Sequence, residues 1–358
     1  MLDIIIPAYK AHDTIGEALK SILNQETVML FNVTIVNDYP EGKDYSEFIN
    51  KFAEFFPIQE IKMNENMGPA SARQKGLECT LEEWVMFVDS DDLLIEKNSL
   101  ELVYQNILKN KDAIKICFLS KEEDRDGSYK ELPRERVLNA HNARLHGNIY
   151  KRSFLEKNNI KFIEKAFWNE DVAFNLDVKI CAMNKNLLKH IFVVENYIYI
   201  WKYNINAITK INNEEFSFFK APVGQLENEF FICQKRLRIG NLNKEAKEFI
   251  EGELFALILR NYYNLHVLIA YNPKNKYEIN TLFNKVLEVY DFYKKNIEKN
   301  FDYIYTYHAL EFSKDYYLRV IPFFTFFDFL FYLEHPEEWA KNPPLKKYRK
   351  QPLKEMPL

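Results

Sequence analysis

Glycine is scarce in this 358-residue chain, at 9 residues. None falls in a glycine-rich phosphate loop, which excludes a P-loop nucleotidase. Cysteine is limited to Cys79, Cys117, Cys181 and Cys233, widely spaced and without CxxC or Cys/His patterning. That excludes a disulfide framework or a structural zinc site and predicts reduced core thiols in a cytosolic protein. Positive charge is not in excess: 48 Lys and Arg against 52 Asp and Glu leave a net charge of -4. No nucleic-acid partner is expected from such a balance. No apolar run reaches the roughly 20 residues of a membrane span. The start, Met1-Leu2-Asp3-Ile4-Ile5-Ile6-Pro7, has no basic stretch before a long apolar one, so no secretory signal is expected. No Ser/His/Asp or Cys/His nucleophile arrangement stands out.

What is present is an ordinary globular mixture, 47% hydrophobic and 28% charged, long enough for two domains. Aromatics are heavy at 15%, and any exposed share of them calls for a partner surface.

The first ninety residues alternate in period. Apolar runs at Leu2–Ile6, Phe31–Val36, Ile58–Met63 and Trp84–Val88 read as strands. Between them, Ile15, Ala18, Leu19, Ile22 and Leu23 repeat at helical spacing behind Asp13 or Thr14 as cap, and Asp44–Phe55 and Pro69–Cys79 read as helices. Strand and helix at short spacing predict βαβ crossovers and a mostly parallel sheet. Further on, Leu100–Leu108, Arg152–Asn158 and Val172–Cys181 read as helices, Ala113–Leu119 and Ile191–Trp201 as strands, and Lys121–Asp126 as a charged hairpin loop. From about residue 211 the composition turns to long amphipathic stretches, a helical region to 339 without turn punctuation before Asn272-Pro273. Residues 340–358 form a basic, proline-rich tail that is expected to be flexible.

The strongest chemical signal is Asp89-Ser90-Asp91-Asp92, directly after an apolar strand. Clustered carboxylates repel one another unless a cation neutralises them, and oxygen-only ligands favour Mg²⁺ or Mn²⁺ bridging to phosphates. The alternative is a solvated acidic turn. A second signal, Trp168-Asn169-Glu170-Asp171, opens a helix. It could supply a general base, or it could simply put acids where a helix N-terminus favours them.

Taken in order, Ile5-Ile6-Pro7-Ala8-Tyr9, Asn37-Asp38, Asn66-Met67-Gly68-Pro69-Ala70-Ser71-Ala72-Arg73 and Asp89-Ser90-Asp91-Asp92 resemble the signatures of family 2 glycosyltransferases. The resemblance covers residues 1–210. It implies an α/β GT-A fold, with a Rossmann-like nucleotide-binding unit fused to an acceptor-binding half. It places Pro7, Ala8, Tyr9, Asp38, Asn66, Gly68, Arg73, Asp89 and Ser90 at a donor nucleotide and Asp91 on a Mn²⁺ or Mg²⁺ ion. Asp171 matches the family's catalytic base, with Glu170 contacting the acceptor or orienting the loop. His146, Asp92, Trp168 and Lys202 become candidate sugar or acceptor contacts, and Lys202 or Lys210 would reach the pyrophosphate. For Tyr9 a packing role, and for Arg73 a structural salt bridge, remain the alternatives. The chain departs from the family at Tyr39-Pro40-Glu41-Gly42, where Gly and Ser are usual.

The implied activity is metal-dependent, inverting transfer of a single sugar from a nucleotide-diphosphate donor, UDP-linked, to a hydroxyl of a glycan or lipid-linked glycan. Processive members carry Gln-x-x-Arg-Trp, and the nearest string here, Gln234-Lys235-Arg236-Leu237-Arg238, lacks the Trp. Two rivals stand beside it: a non-catalytic binding protein on the same fold, and a sugar-phosphate nucleotidyltransferase, which would need a glycine after the first strand. Residues 320–354, aromatic then basic, suit either peripheral membrane contact or packing on the protein's own core or in a homo-oligomer. The location expected is the cytoplasm, with the inner membrane face as the place of any such contact.

Overall fold

The computed structural model describes residues 1–95, 97–132, 144–166, 168–204, 219–271, 274–297 and 326–341. The chain divides into two compact units, Met1–Ile211 and Asn212–Leu358.

The first unit is built on a nine-stranded sheet. Its strands are β1 (Leu2–Ala8), β2 (Phe31–Asn37), β3 (Ile58–Lys62), β4 (Trp84–Phe87), β5 (Leu93–Leu94), β6 (Lys115–Glu123), β7 (Tyr129–Glu131), β8 (Asn148–Lys151) and β9 (Ile191–Trp201). They lie in the order β3-β2-β1-β4-β8-β6-β9-β5, with β7 beside β6. β3, β2, β1 and β4 are parallel, β8 runs antiparallel between β4 and β6, and β9 returns parallel to β6. The charged loop at Lys121–Asp126 is the hairpin between β6 and β7, although β6 itself runs on to Glu123.

The apolar runs are buried because helices cover both faces of these strands. On one face lie α1 (Ile15–Leu23), α2 (Ser46–Phe52) and α4 (Ser99–Lys109), which join Ile4 and Ile6 in one core. On the other lie α3 (Gly68–Cys79), α5 (Arg152–Lys157) and α6 (Glu170–Asn184), which meet Ile5, Val85 and Phe87. The spacing read for α1 holds, with Ile15, Ala18, Leu19 and Ile22 buried. Its cap does not: Thr14 occupies the N-cap, but its hydroxyl donates to the Ala11 carbonyl at 3.3 Å. Cys79 is exposed at the end of α3, whereas Cys117, Cys181 and Cys233 are buried thiols, so the core reading fails for one of the four.

α3 lies close on β1 because Gly76 has no side chain. A Cβ there would stand 2.4 Å from Ile5 Cγ2. The edge where β1 and β4 begin is tied by Arg152, which opens α5. Its guanidinium donates to the Glu82 and Leu77 carbonyls, to Thr80 Oγ1 at 2.7 Å and to Asp3 Oδ2 at 3.0 Å.

In the second unit the described residues form α7 (Ala221–Ile239), α8 (Lys244–Tyr271), α9 (Lys276–Asn296), α10 (Phe326–Glu334) and α11 (Pro336–Lys341). The helical reading holds, but an unforeseen break falls at Gly240, whose φ of 72° ends α7. In the described part of 320–354, Phe326, Phe329 and Leu333 are buried and Trp339 stacks on Phe283 at 4.1 Å, whereas Phe331 is 50% exposed. Among the described residues, no helix is long and apolar enough to cross a membrane.

The Arg152 tie gives a stability prediction. Arg152→Ala leaves the buried Asp3 carboxylate without its cation and is expected to cost about 3–5 kcal/mol. Urea unfolding followed by circular dichroism measures this, and a loss below about 1 kcal/mol would contradict the assignment.

Candidate active site

The site lies beyond the carboxyl ends of β1, β2 and β4, at the point where strand order reverses from β1-β2-β3 to β1-β4. Open α/β sheets form a ligand crevice at such a point.

Arg73 is its centre. α3 carries it into the interior, where its side chain is only 7% exposed. Nη2 donates to Asp89 Oδ1 at 2.7 Å and Nη1 to Glu170 Oε1 at 2.5 Å. One planar guanidinium thus joins the acidic turn after β4 to the first residue of α6, a geometry that a lysine ammonium does not offer. Burial opposes the Arg73 charge, but Asp89 and Glu170 outweigh it and hold the proton more firmly than usual. Burial likewise opposes the Asp89 charge, yet Arg73 and then His146 bring its pKa well below the carboxylate range.

The acidic turn is folded on itself. Asp92 N–H donates to the Asp89 carbonyl at 3.1 Å, leaving Ser90 half-buried between them. The Tyr199 hydroxyl, from β9, accepts from Asp89 N–H at 3.0 Å and donates to Asp92 Oδ2 at 2.8 Å. Asp92 Oδ1 accepts from Lys202 N–H at 2.9 Å. Asp92 is 1% exposed, and burial pushes its pKa up to about 8. It therefore anchors the turn and is corrected from a sugar contact to a buried support. His146 stacks on Tyr199 at 4.9 Å and faces Asp89 Oδ2 at 3.3 Å. Asp89 and Asp92 raise its pKa against the effect of burial.

Asp89, Asp92 and His146 each bring one possible metal-ligand atom within 4.8 Å of the others. Asp89 and Asp92 already accept from Arg73, Tyr199 and Lys202 and so act as supports of the turn, while His146 Nδ1 is buried without a hydrogen-bond partner among the described residues. Asp91 is placed differently. The Asn204 amide donates to its Oδ2 at 2.8 Å, and burial and then Asp89 push its pKa up. Five carboxylates, Asp89, Asp91, Asp92, Glu170 and Asp171, face the guanidinium of Arg73 and the imidazole of His146. Asp91 meets the Asn204 amide and forms no ion pair among the described residues, so it is the carboxylate of this turn that a hard divalent cation would fit.

At the second motif, Asn169 adopts a left-handed conformation (φ 52°) before α6, next to a half-buried Trp168. Burial raises Glu170 to about 7 against the pull of Arg73. Burial also raises Asp171, against the pull of Arg73 and His146. Asp171 Oδ1 accepts from its neighbour Val172 N–H at 2.8 Å, while Glu170 is held by Arg73.

The nucleotide-side residues adjoin. β1 brings Pro7 and Ala8 to the sheet edge, and Tyr9 follows, 47% exposed with its ring edge-on to Tyr39, so a half-buried packing contact and an open ring surface coexist there. Asp38 is 3% exposed, and its two oxygens accept from Met67 N–H at 2.9 Å and Gly68 N–H at 2.8 Å. Gly68, at φ 83°, also donates to Asn66 Oδ1 at 3.2 Å. Asp38 thus fixes the turn into α3. Lys202 Nζ pairs with Glu17 Oε2 at 2.7 Å. Lys210 lies outside the described residues. Sequence reasoning missed Tyr199 and Asn204. Neither carries a clear periodic signal: Ile198 and Tyr199 are adjacent in β9 and both buried, so alternation does not single out Tyr199.

The family match gives the class, a sugar-transferring enzyme. The chain matches glycosyl transferase family 2 over residues 3–192 and belongs to that family, whose members are transferases. It is 24% identical over 292 residues to the poly(ribitol-phosphate) beta-N-acetylglucosaminyltransferase TarP of Staphylococcus aureus (strain N315), covering 77% of this chain and 84% of TarP. It is 25% identical over 226 residues to the glycosyltransferase EpsJ of Bacillus subtilis (strain 168), covering 59% of this chain. The match spans 63% of EpsJ, a little under two thirds of that relative's length. In structure it resembles S. aureus TarS 1-349 in complex with UDP-GlcNAc, with a TM-score of 0.61, 20% identity and 80% of each chain covered. That likeness bears out the GT-A fold with its helical C-terminal region.

The raised groups predict how stability depends on pH. Asp92 at about 8 and Glu170 at about 7 bind protons more tightly folded than unfolded. Their contribution is full at acid pH and is lost as pH rises through those values. His146, also raised, acts in the same direction. Buried His266, lowered to about 3, acts in the opposite direction, but only below the ordinary histidine pKa of about 6.5. In chelator-treated protein, Tm is therefore expected to fall between about pH 6.5 and 8.5, and Asp92→Asn to flatten that slope. A Tm that is level or rises over this range contradicts the assignment.

Proposed function

We propose that the chain transfers one sugar, with inversion, from a nucleotide-diphosphate donor to a hydroxyl of a glycan or glycoconjugate, aided by Mn²⁺ or Mg²⁺. The observation that carries this reading is the single guanidinium holding both acidic motifs, Asp89 and Glu170, at one crevice. The UDP-GlcNAc bound by TarS and the N-acetylglucosaminyl transfer named for TarP support a UDP-linked donor.

Each residue has a role in this scheme. Tyr9, at the end of β1, offers an exposed ring to the nucleoside. Asp91 would hold the cation, which when bound offsets the charge gathering on the departing diphosphate. Glu170, engaged by Arg73, sets the start of α6. Asp171 is thereby left to take the proton of the acceptor hydroxyl as its oxygen attacks the anomeric carbon, opposite the leaving group. Burial makes Asp171 a stronger base than an exposed carboxylate. Asp92, Tyr199 and His146 keep the acidic turn in shape.

Two variants test the division of labour. Asp171→Asn is expected to keep UDP binding and lower kcat by about 10²–10⁴-fold. Asp91→Asn is expected to lose the part of UDP binding that depends on Mn²⁺. Transfer assays with UDP-sugars and calorimetry with UDP measure both. Unchanged turnover in Asp171→Asn would remove it as the base. In the active protein, kcat should rise with pH as Asp171 ionises, with a midpoint above the ordinary carboxylate value.

A further inference from the structure

The segment that departs from the family pattern, Tyr39-Pro40-Glu41-Gly42, builds a specific structure beside Tyr9. β1 and β2 run parallel as far as the pair Ala8↔Asn37, so Tyr9 and Tyr39 leave the sheet side by side. Their rings meet edge to face, with centroids 5.3 Å apart and planes at 73°. Lys10 Nζ lies 5.2 Å from each ring centroid. Lys10 holds a left-handed backbone (φ 52°), a conformation uncommon for a residue with its side chain. Its ammonium pairs with no carboxylate among the described residues. Tyr39 is fixed in its turn. Its N–H donates to Asn37 Oδ1 at 2.9 Å, and Gly42 N–H donates to the Tyr39 carbonyl at 3.0 Å. A Cβ on Gly42 would stand 2.0 Å from the Tyr39 ring, so glycine is what lets that ring lie against the turn.

Asp38, which the family resemblance places at the nucleotide, is engaged within the protein. It is 3% exposed, and both its oxygens serve the Met67 and Gly68 amides. We infer that base recognition in this chain passes to Lys10, held between Tyr9 and Tyr39, and that the site selects a nucleobase with an oxygen at pyrimidine C4 or purine C6 over one with an amino group at that position. An ammonium carries donors only. It attracts the O4 of uracil or the O6 of guanine and offers nothing to the exocyclic amine of cytosine or adenine. The tyrosines supply aromatic surface for any base and hold the lysine in place. This inference rests on the proposed nucleotide-diphosphate site.

The test is calorimetric titration of the full chain with UDP, CDP, GDP and ADP in Mn²⁺, for the native protein, Lys10→Met and Tyr39→Leu. Lys10 is exposed, so Lys10→Met is expected to fold, with an unchanged melting curve. The native protein is expected to bind UDP or GDP at least tenfold more tightly than CDP and ADP. In Lys10→Met that ratio should fall below about threefold, mainly through weaker binding of UDP or GDP. Tyr39→Leu should reduce it in the same direction. An unchanged ratio in Lys10→Met, or a native protein that does not distinguish UDP from CDP and GDP from ADP, overturns the inference and leaves the nucleotide site standing. Absence of binding by all four nucleotides overturns both.

Discussion

A buried guanidinium between two carboxylates is the constraint on which the site depends. Arg73 is almost without contact to water, so its charge is costly unless its partners stay in place. The cost works in both directions. Without Arg73, Asp89 and Glu170 are partly buried acids with further carboxylates beside them. Without either acid, Arg73 is a buried cation that has lost half its compensation. The interaction therefore contributes less to net stability than to fixing where two distant segments meet. Gly76 belongs to the same arrangement, because it lets α3 approach β1 closely enough to carry Arg73 to the crevice.

Support spreads outward from this centre. Tyr199 reaches from β9 to both ends of the acidic turn, and His146 stacks on it. Behind Asp171, the Asn175 amide donates to its carbonyl at 3.1 Å, while Tyr150 and Lys115 donate to the Asn175 oxygen at 2.8 and 2.5 Å. The candidate base thus stands on a packed helix, and rigid support of this kind keeps a reacting group within reach of its target. The second unit has its own buried ion pair, Glu229 with Arg260 at 3.0 Å, and an aromatic interior around Phe283, Phe329 and Trp339.

Much of the first unit was legible from periodicity. The parallel strands are continuous apolar runs because both their faces are covered, and α1 shows its buried stripe directly in Ile15, Ala18, Leu19 and Ile22. The ordered motifs located the crevice because functional residues in such folds follow strand ends. What the sequence left open are matters of side-chain direction. Asp38 and Asp92 look like ligand contacts in one dimension, yet each turns inward to bind backbone amides. Asn204 carries no periodic or local signal and reaches Asp91 only through the tertiary fold. The break at Gly240 did have a local signal, Gly240-Asn241 followed by Asn243, whose Oδ1 accepts from Ala246 N–H at 2.8 Å to start the next helix.

The central claim is that Arg73 makes one site of two motifs, and a double-mutant cycle tests it without knowledge of the substrate. Arg73→Gln, Glu170→Gln and the double variant would be unfolded in urea and compared with the native protein. The account predicts a coupling energy of about 0.5–3 kcal/mol, with Glu170→Gln costing little once Arg73 is gone. Additive losses, with no coupling beyond error, would show that the two segments are positioned independently and would contradict it.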